Sequence, residues 1–304
     1  MKKVIIITGL TCSGKSDLAI NIAEKYNGEI ISADSVQIYR GLDIGSAKIG
    51  KDEMSIVPHH LIDIRDFDED YNVGDFINDT ADALDEIVER DKLPIIVGGT
   101  GMYIKALVSG YSLGGAKSDI KFRDRYERLS QEKGNQYVWD LLNKIDPDLA
   151  SKVHPNNIKR VIRYLEIAQN GDQDQVNKTD DSILKDYDVL LLGIIDEREK
   201  IYAKINDRVD HMIDMGLETE VRDLIKRGAT RETHSMNSIG YKEWFDYFEG
   251  KIDYDKLIDL IKQHTRNYCK RQLTFMKTIP NIEICTVEQA SKRIKEFLND
   301  RDRL

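Results

Sequence analysis

Residues Gly9, Leu10, Thr11, Cys12, Ser13, Gly14, Lys15 and Ser16 read GLTCSGKS, a full match to G-x-x-x-x-G-K-[ST]. Such a loop holds phosphate. Its glycines let successive backbone N–H groups converge on oxygens, the helix that follows adds partial positive charge at its N-terminus, and Lys15 neutralises an anion. The Ser16 hydroxyl is of the type that ligates Mg2+ beside a bound phosphate. The ligand is therefore a di- or triphosphate. The reaction stays open, because the same cradle serves phosphoryl transfer and a diphosphate that departs from carbon.

Asp34 stands just past the end of a strand, on the edge where open α/β sheets bind ligands. A carboxylate there suits a general base, a helix cap or turn former, and a Mg2+ ligand of nucleotide-kinase type. Thr100 follows the glycines of VGGTG and reads by itself as the N-cap of a helix. Arg222 lies in an amphipathic helix, where most arginines face solvent. Residues 264–277, HTRNYCKRQLTFMK, carry Arg266, Lys270, Arg271 and Lys277 with no acid, and Lys159, Arg160 and Arg163 form a second basic cluster. Tyr268 and Tyr164 are near each cluster for stacking, although either cluster alone equally describes a solvated helix face. His59 and His60 read as structural histidines and Trp139 and Trp244 as packing residues.

The elements that position these residues follow from hydrophobic periodicity. Residues 4–8, VIIIT, form an apolar run, and Leu18, Ile22 and Tyr26 recur at helical spacing behind the loop. EIISA from Glu29, HLIDI from His60 and PIIVGG from Pro94 read as strands, with an amphipathic helix over residues 73–90 whose Val73, Phe76, Ile77, Leu84, Ile87 and Val88 share a face. Apolar strands alternating with helices predict an α/β fold of P-loop NTPase type, a doubly wound parallel sheet covered on both sides. From residue 116 the texture becomes charged and helical, closing in the polar stretch GDQDQVNKTDDS, which reads as a flexible connector. DVLLLGIID from Asp188 resumes the sheet. Amphipathic segments follow at residues 201–215, 218–227, 242–248 and 257–277, then an edge strand IEIC from Ile282 and a final helix at 287–298. The expected organisation is a first core part at 1–115, a helical insertion at 116–182, and a second core part with helix-rich C-terminus at 183–304.

Composition narrows the class. At 304 residues and 40% hydrophobic, the chain can bury one large or two modest cores. Cys12, Cys269 and Cys285 lie too far apart in sequence for a disulfide framework or a metal knuckle. No apolar run reaches membrane-spanning length and the first residues are too short for a secretory signal, so a cytoplasmic protein with no membrane partner is expected. A net charge of -9 argues against global nucleic-acid affinity, leaving any such binding to local basic patches. A small-molecule kinase and an ATP-binding RNA module without catalysis are alternatives that the residues leave open at this point.

ADSVQIYRGLDIGSAK from Ala33, PHHLIDI from Pro58, VGGTGMYIKAL from Val97 and HPNNIKRVIRYLE from His154 resemble the tRNA dimethylallyltransferase family, also called tRNA isopentenyltransferase. The resemblance continues through GLETEVRDL from Gly216, SIGYKEW from Ser238 and KRQLTFMK from Lys270, in order and over most of the chain. Leu10 and Cys12 depart from the Pro and Ala common in that family, and no C-terminal Cys/His zinc module of the eukaryotic kind is written here, so the bacterial form is resembled.

The resemblance implies transfer of a dimethylallyl group from dimethylallyl diphosphate, with Mg2+, to N6 of the adenine 3′ to the anticodon, position 37, in tRNAs reading codons that begin with U. It casts the phosphate loop as the donor site, Asp34 as the base, and Thr100 and Arg222 as stabilisers of the departing diphosphate. Contact with the tRNA anticodon stem-loop is implied for Asp34, Ser35, Val36 and Gln37, for Thr100 and Arg123, and for Lys159, Arg160, Val161, Ile162 and Arg163. It is implied also for Asn237, Ser238, Ile239, Gly240, Tyr241 and Lys242, and for Lys270, Arg271, Gln272, Leu273, Thr274, Phe275, Met276 and Lys277. A monomer is expected.

Overall fold

The computed structural model describes residues 2–110, 120–169 and 182–299. The boundary expected at residue 116 and nearly all of the polar connector lie outside the described residues. The chain divides into two compact units, Met1–Val108 with Ile183–Leu304, and Ser109–Ser182.

In chain order the first unit begins with β1 (Lys2–Gly9), α1 (Lys15–Tyr26), β2 (Gly28–Ser32), α2 (Lys51–Ile56), β3 (His59–His60), α3 (Val73–Glu89), β4 (Leu93–Gly98) and α4 (Gly101–Ser109). The second unit contributes α5 (Ile120–Lys133), α6 (Asn135–Ile145), α7 (Pro147–Ser151) and α8 (Ile158–Gln169). The first unit then resumes with β5 (Tyr187–Ile194), α9 (Arg198–Asp214), α10 (Leu217–Lys226), α11 (Glu243–Phe248), α12 (Tyr254–Met276), β6 (Glu283–Cys285) and α13 (Val287–Asn299).

The strands form one parallel sheet in the order β3-β2-β4-β1-β5-β6. Register explains why its strands read as unbroken apolar runs. Ile5 pairs with Ile95 and Leu190, and Ile6 with Ile96 and Leu191, so successive residues feed opposite faces and both faces are covered. Val4, Ile6, Ile96 and Leu191 join one core with Phe76 and Leu84 of α3, Ile104 of α4, Val209 of α9, Val221 of α10, Trp244 of α11 and Ile261 of α12. Ile5, Ile7, Ile95, Leu190 and Leu192 join another with Leu18 and Ile22 of α1 and Ile294 of α13.

One strand is much shorter than its apolar run suggests. Only His59–His60 pair with β2, because Leu61 and Asp63 take left-handed φ values of 61° and 55° and turn the chain out of the sheet. The freed backbone groups are satisfied by the segment after Asp34: Asp63 N donates to the Gln37 carbonyl and Arg65 N to that of Ile38. His59 contacts the Val57 carbonyl and His60 the Glu29 carboxylate, consistent with structural roles.

The second unit has its own core of Tyr126, Val138, Leu142, Leu149, Val161, Ile162 and Leu165. Asp146 caps α7 by accepting from Leu149 N, with Pro147 at the first turn. Trp139 donates its ring N–H to the Ala150 and Val153 carbonyls, tying α6 to the chain after α7.

Candidate active site

The phosphate loop is shaped from both ends. A Cβ on Gly9 would stand 2.5 Å from the Ile194 carbonyl oxygen of β5, so only glycine fits, and Gly14 has φ 82°. Leu10 packs with Ile201, Ile205 and Cys269, and Cys12 packs against that cluster, so these side chains anchor the loop from outside. The buried Ser13 hydroxyl has no hydrogen-bond partner among the described residues, leaving a donor for an anion. Gln272 fixes the loop to the turn after β4: its Oε1 accepts from Thr11 N at 2.9 Å and its Nε2 donates to the Gly99 carbonyl at 3.0 Å.

Lys15 donates to the Leu10 carbonyl at 3.2 Å. Burial lowers its pKa, reinforced by the positive charge of Arg208 and opposed by Asp34. Arg208, on α9, donates to the Thr11 hydroxyl at 3.3 Å and to the Ser46 carbonyl at 3.2 Å. Two cations thus share the loop, an arrangement that is unfavourable until an anion sits between them.

Asp34 leaves β2 two residues after Ser32. Its Oδ1 accepts from Val36 N at 2.9 Å and Gln37 N at 3.3 Å, while no hydrogen bond reaches Oδ2 among the described residues. The turn-forming role and an unengaged carboxylate oxygen therefore coexist in one side chain. Its position is set by close contact between strand ends: Ala33 N donates to the Val97 carbonyl, and a Cβ on Gly98 would lie 2.1 Å from the Ala33 oxygen. Thr100 receives Tyr103 N and Ile104 N on its carbonyl, as an N-cap residue does. Its hydroxyl instead accepts from Ser35 N at 3.0 Å, so it braces the segment after Asp34.

Thr11, Lys15, Ser16, Asp34, Gln37 and Arg208, among others, line one cleft of about 530 Å3, with Tyr268 on its wall and Thr100 outside its lining. The Tyr268 phenol is pushed up to about 12 by burial and by the charge of Asp34. Ser35, Val36, Asn237, Ser238, Ile239, Gly240, Lys242, Arg271 and Gln272 also line it.

The family model described as IPP transferase matches residues 37–279. A tRNA dimethylallyltransferase of Bacillus cereus is 43% identical over 279 residues, which is 91% of this chain and 87% of the relative. One from Exiguobacterium is 45% identical over 91% of this chain and 88% of the relative. Among solved structures, the full-length tRNA isopentenylpyrophosphate transferase of Bacillus halodurans superposes with TM-score 0.72 at 39% identity, covering 98% of this chain and 96% of its own. A eukaryotic dimethylallyltransferase acting on tRNA superposes with TM-score 0.77 at 30% identity, over 99% and 80%. The chain belongs to the IPP transferase family.

Within this IPP transferase frame several residues expected at the site are engaged elsewhere in the fold. Arg222 does not line the cleft: it pairs with Glu218 at 2.6 Å and lies over the Phe248 ring. Tyr241 is fully buried with its hydroxyl on Glu220, so its side chain is packing rather than RNA-facing. Val161 and Ile162 are core residues of the second unit. Arg123 and Arg163 both reach the buried Glu166 carboxylate, at 2.9 and 2.6 Å, leaving Lys159 and Arg160 as exposed cations of α8. On α12 Lys270, Arg271 and Thr274 are exposed, as is Lys277 at its C-cap, whereas Gln272 and Met276 are buried and Leu273 and Phe275 half-buried. Arg266 is bound to Asn206.

Arg208 was not among the residues expected at the site. A faint signal exists for it: on α9 the buried stripe runs Ile201, Ile205, Val209 and Met212, and Arg208 stands three residues after Ile205 on the margin of that stripe. A cation on the margin of a buried face needs a reason to be there.

Proposed function

We propose that the protein transfers the dimethylallyl group of dimethylallyl diphosphate to N6 of adenine 37, 3′ to the anticodon, in tRNAs reading codons that begin with U, with release of diphosphate. The observation that carries this reading is that a phosphate loop and an unengaged carboxylate oxygen, that of Asp34, open onto the same cleft. Phosphoryl-transfer enzymes can use the same pair, and family membership is what favours alkylation of a weakly nucleophilic amine, which needs both.

The exocyclic amine of adenine has its lone pair delocalised into the ring, so bond formation to the allylic carbon gains from proton removal as it proceeds. Asp34 Oδ2 accepts that proton while Oδ1 stays on the turn that fixes the side chain. At the other end the carbon–oxygen bond to diphosphate breaks, and charge grows on the departing oxygens. Loop N–H groups, Lys15 and Arg208 are already in place around that charge, which favours the transition state over the ground state.

Enzymes of this class generally use a divalent metal. The donor set here fits Mg2+: the Ser16 hydroxyl lines the cleft beside Lys15, and such ions bind through one or two protein oxygens plus phosphate oxygens and water. When bound, the ion would neutralise charge on the diphosphate. Asp34 serves as base in this reading, not as a further ligand.

The acceptor is single-stranded loop RNA, whose bases can be splayed out and read at their edges. Gln37 and the 237–242 segment line the cleft for that purpose, and the exposed Lys270, Arg271, Lys277, Lys159 and Arg160 suit backbone phosphates. Action in the cytoplasm, as a monomer, completes the reading. Among the described residues no helix is long and apolar enough to cross a membrane.

The test is to incubate the protein and Mg2+ with labelled dimethylallyl diphosphate and unmodified tRNA carrying an A-A-A anticodon-loop run, then digest the RNA. Label in N6-dimethylallyladenosine is expected. ATP-dependent labelling of a metabolite, with none in the RNA, would make the protein a kinase and overturn the reading.

A further inference from the structure

Glu220 lies on α10, two residues before the arginine that sequence resemblance singles out. Its carboxylate gathers four donors: Oε2 accepts from Asp43 N at 3.1 Å and Ile44 N at 2.7 Å, and Oε1 from Gly45 N at 3.2 Å and the Tyr241 hydroxyl at 2.7 Å. Consecutive peptide N–H groups converging on one carboxylate make an anion-holding nest, here filled by the protein's own side chain. Tyr241 is fully buried, and burial, with the Glu220 charge beside it, pushes its phenol pKa well above the ordinary value, so it remains a donor. Gly45 completes the fit, since a Cβ there would stand 2.6 Å from the Tyr241 ring.

The segment held in this way has a second side. The Ser46 carbonyl accepts from Arg208 at 3.2 Å and from Gln37 Nε2 at 3.4 Å, and the Ala47 carbonyl accepts from Gln37 Nε2 at 3.3 Å. Its far end is closed by Lys48, whose ammonium donates to the Tyr39 carbonyl at 2.7 Å and to the carboxylates of Asp43 and Asp63 at 2.6 Å each. Residues 43–48 therefore form a strap. One edge is clamped by Glu220 and the carbonyls of the other hold Arg208 and Gln37, two side chains that line the cleft.

We infer that Glu220 is a positioning residue for the reaction: by clamping residues 43–45 it sets the Ser46 and Ala47 carbonyls that aim Arg208 at the diphosphate and Gln37 at the acceptor base. The inference rests on the reading that the cleft holds a diphosphate beside Arg208. It gives the carboxylate of α10 a role, in place of its arginine.

The experiment uses the full chain and two readouts. Binding of inorganic diphosphate is measured by calorimetry for wild type, Glu220→Gln, Arg208→Lys and the double variant, and kcat and KM for tRNA are measured for wild type, Glu220→Gln, Gln37→Ala and their double variant. Glu220→Gln keeps the shape but turns an amide N–H toward backbone N–H donors. Expected are a weakening of diphosphate binding by about tenfold, a thermal midpoint lowered by a few degrees with the protein still folded, substantial recovery in Glu220→Asp, and double variants whose losses fall short of the product of the single losses by about threefold or more. Should Glu220→Gln fail to fold, Tyr241→Phe, which removes one donor, takes its place with the same sub-additivity required. Losses that multiply independently in both cycles would overturn the inference. A wild-type protein that binds diphosphate but transfers no prenyl group would instead overturn the proposed function, with the binding cycle still deciding the role of Glu220.

Discussion

The Arg208 guanidinium meets the Thr11 hydroxyl at 3.3 Å, so an arginine from α9 stands on a phosphate loop nearly two hundred residues away in sequence. Arg222, from the next helix, turns instead to Glu218 and Phe248. Under the proposed function, the arginine placed to meet the departing diphosphate is therefore Arg208, because its helix face packs toward the loop.

Exchanging the two arginines in turn tests this. Arg208→Ala should lower kcat by about 10² or more, the usual cost of removing a preorganised donor from a departing anion, with partial recovery in Arg208→Lys. Arg222→Ala should stay within a few-fold of wild type, since it removes an exposed ion pair and a surface ring contact. Steady-state kinetics with both substrates varied would reveal the opposite ranking if Arg222 were the acting group.

Asp34→Asn separates the base from the turn former. The amide oxygen can still accept from Val36 N and Gln37 N, so the turn is retained, but the side chain can no longer take a proton. Single-turnover transfer is expected to fall by about 10² to 10⁴ while diphosphate binding is kept. Near-normal single-turnover rates would leave Asp34 with the turn alone.

Gly98→Ala tests how the base is held. Its Cβ would collide with the Ala33 oxygen, the residue immediately before Asp34. A stability loss of about 1–3 kcal/mol in urea unfolding is expected, together with slower transfer, because backbone rather than a flexible side chain must yield. An unchanged midpoint would mean that the strand ends are looser than this contact implies.

Acid sensitivity should trace to Glu29, which is not among the residues lining the cleft. Burial opposes its ionisation, but hydrogen bonds from Arg90 and His60 outweigh burial and hold its pKa below the ordinary 4.5. A depressed folded value means that the contribution is complete above the unfolded pKa and disappears as pH falls through the folded one. Urea unfolding from about pH 6 to pH 3 should therefore show a steeper acid loss in wild type than in Glu29→Gln. Parallel curves would remove Glu29 from the acid limb.

Much of the site was legible because its signals are local. GLTCSGKS is contiguous, a loop of this pattern holds phosphate through its backbone, and the strand before it and helix after it follow from simple periodicity. Asp34 could be located past a strand end for the same reason. Its several readings could not be separated, since the sequence does not say which carboxylate oxygen a turn consumes.

What the sequence by itself determined is the α/β alternation, the phosphate loop and the family pattern along the chain. Tertiary packing decided the rest. HLIDI stops pairing after His60 because left-handed residues turn it away, and an apolar run cannot record that. KRQLTFMK and KRVIR are basic and apolar in alternation, and only the packed helices settle that Gln272, Val161 and Ile162 face inward while Lys270 and Lys159 face out. Arg208 and Glu220 owe their roles to partners far from them in sequence, so no local window contains both halves of either contact. A helix presents every side chain to some direction, and the neighbours it packs against, not its own sequence, choose which direction is the site.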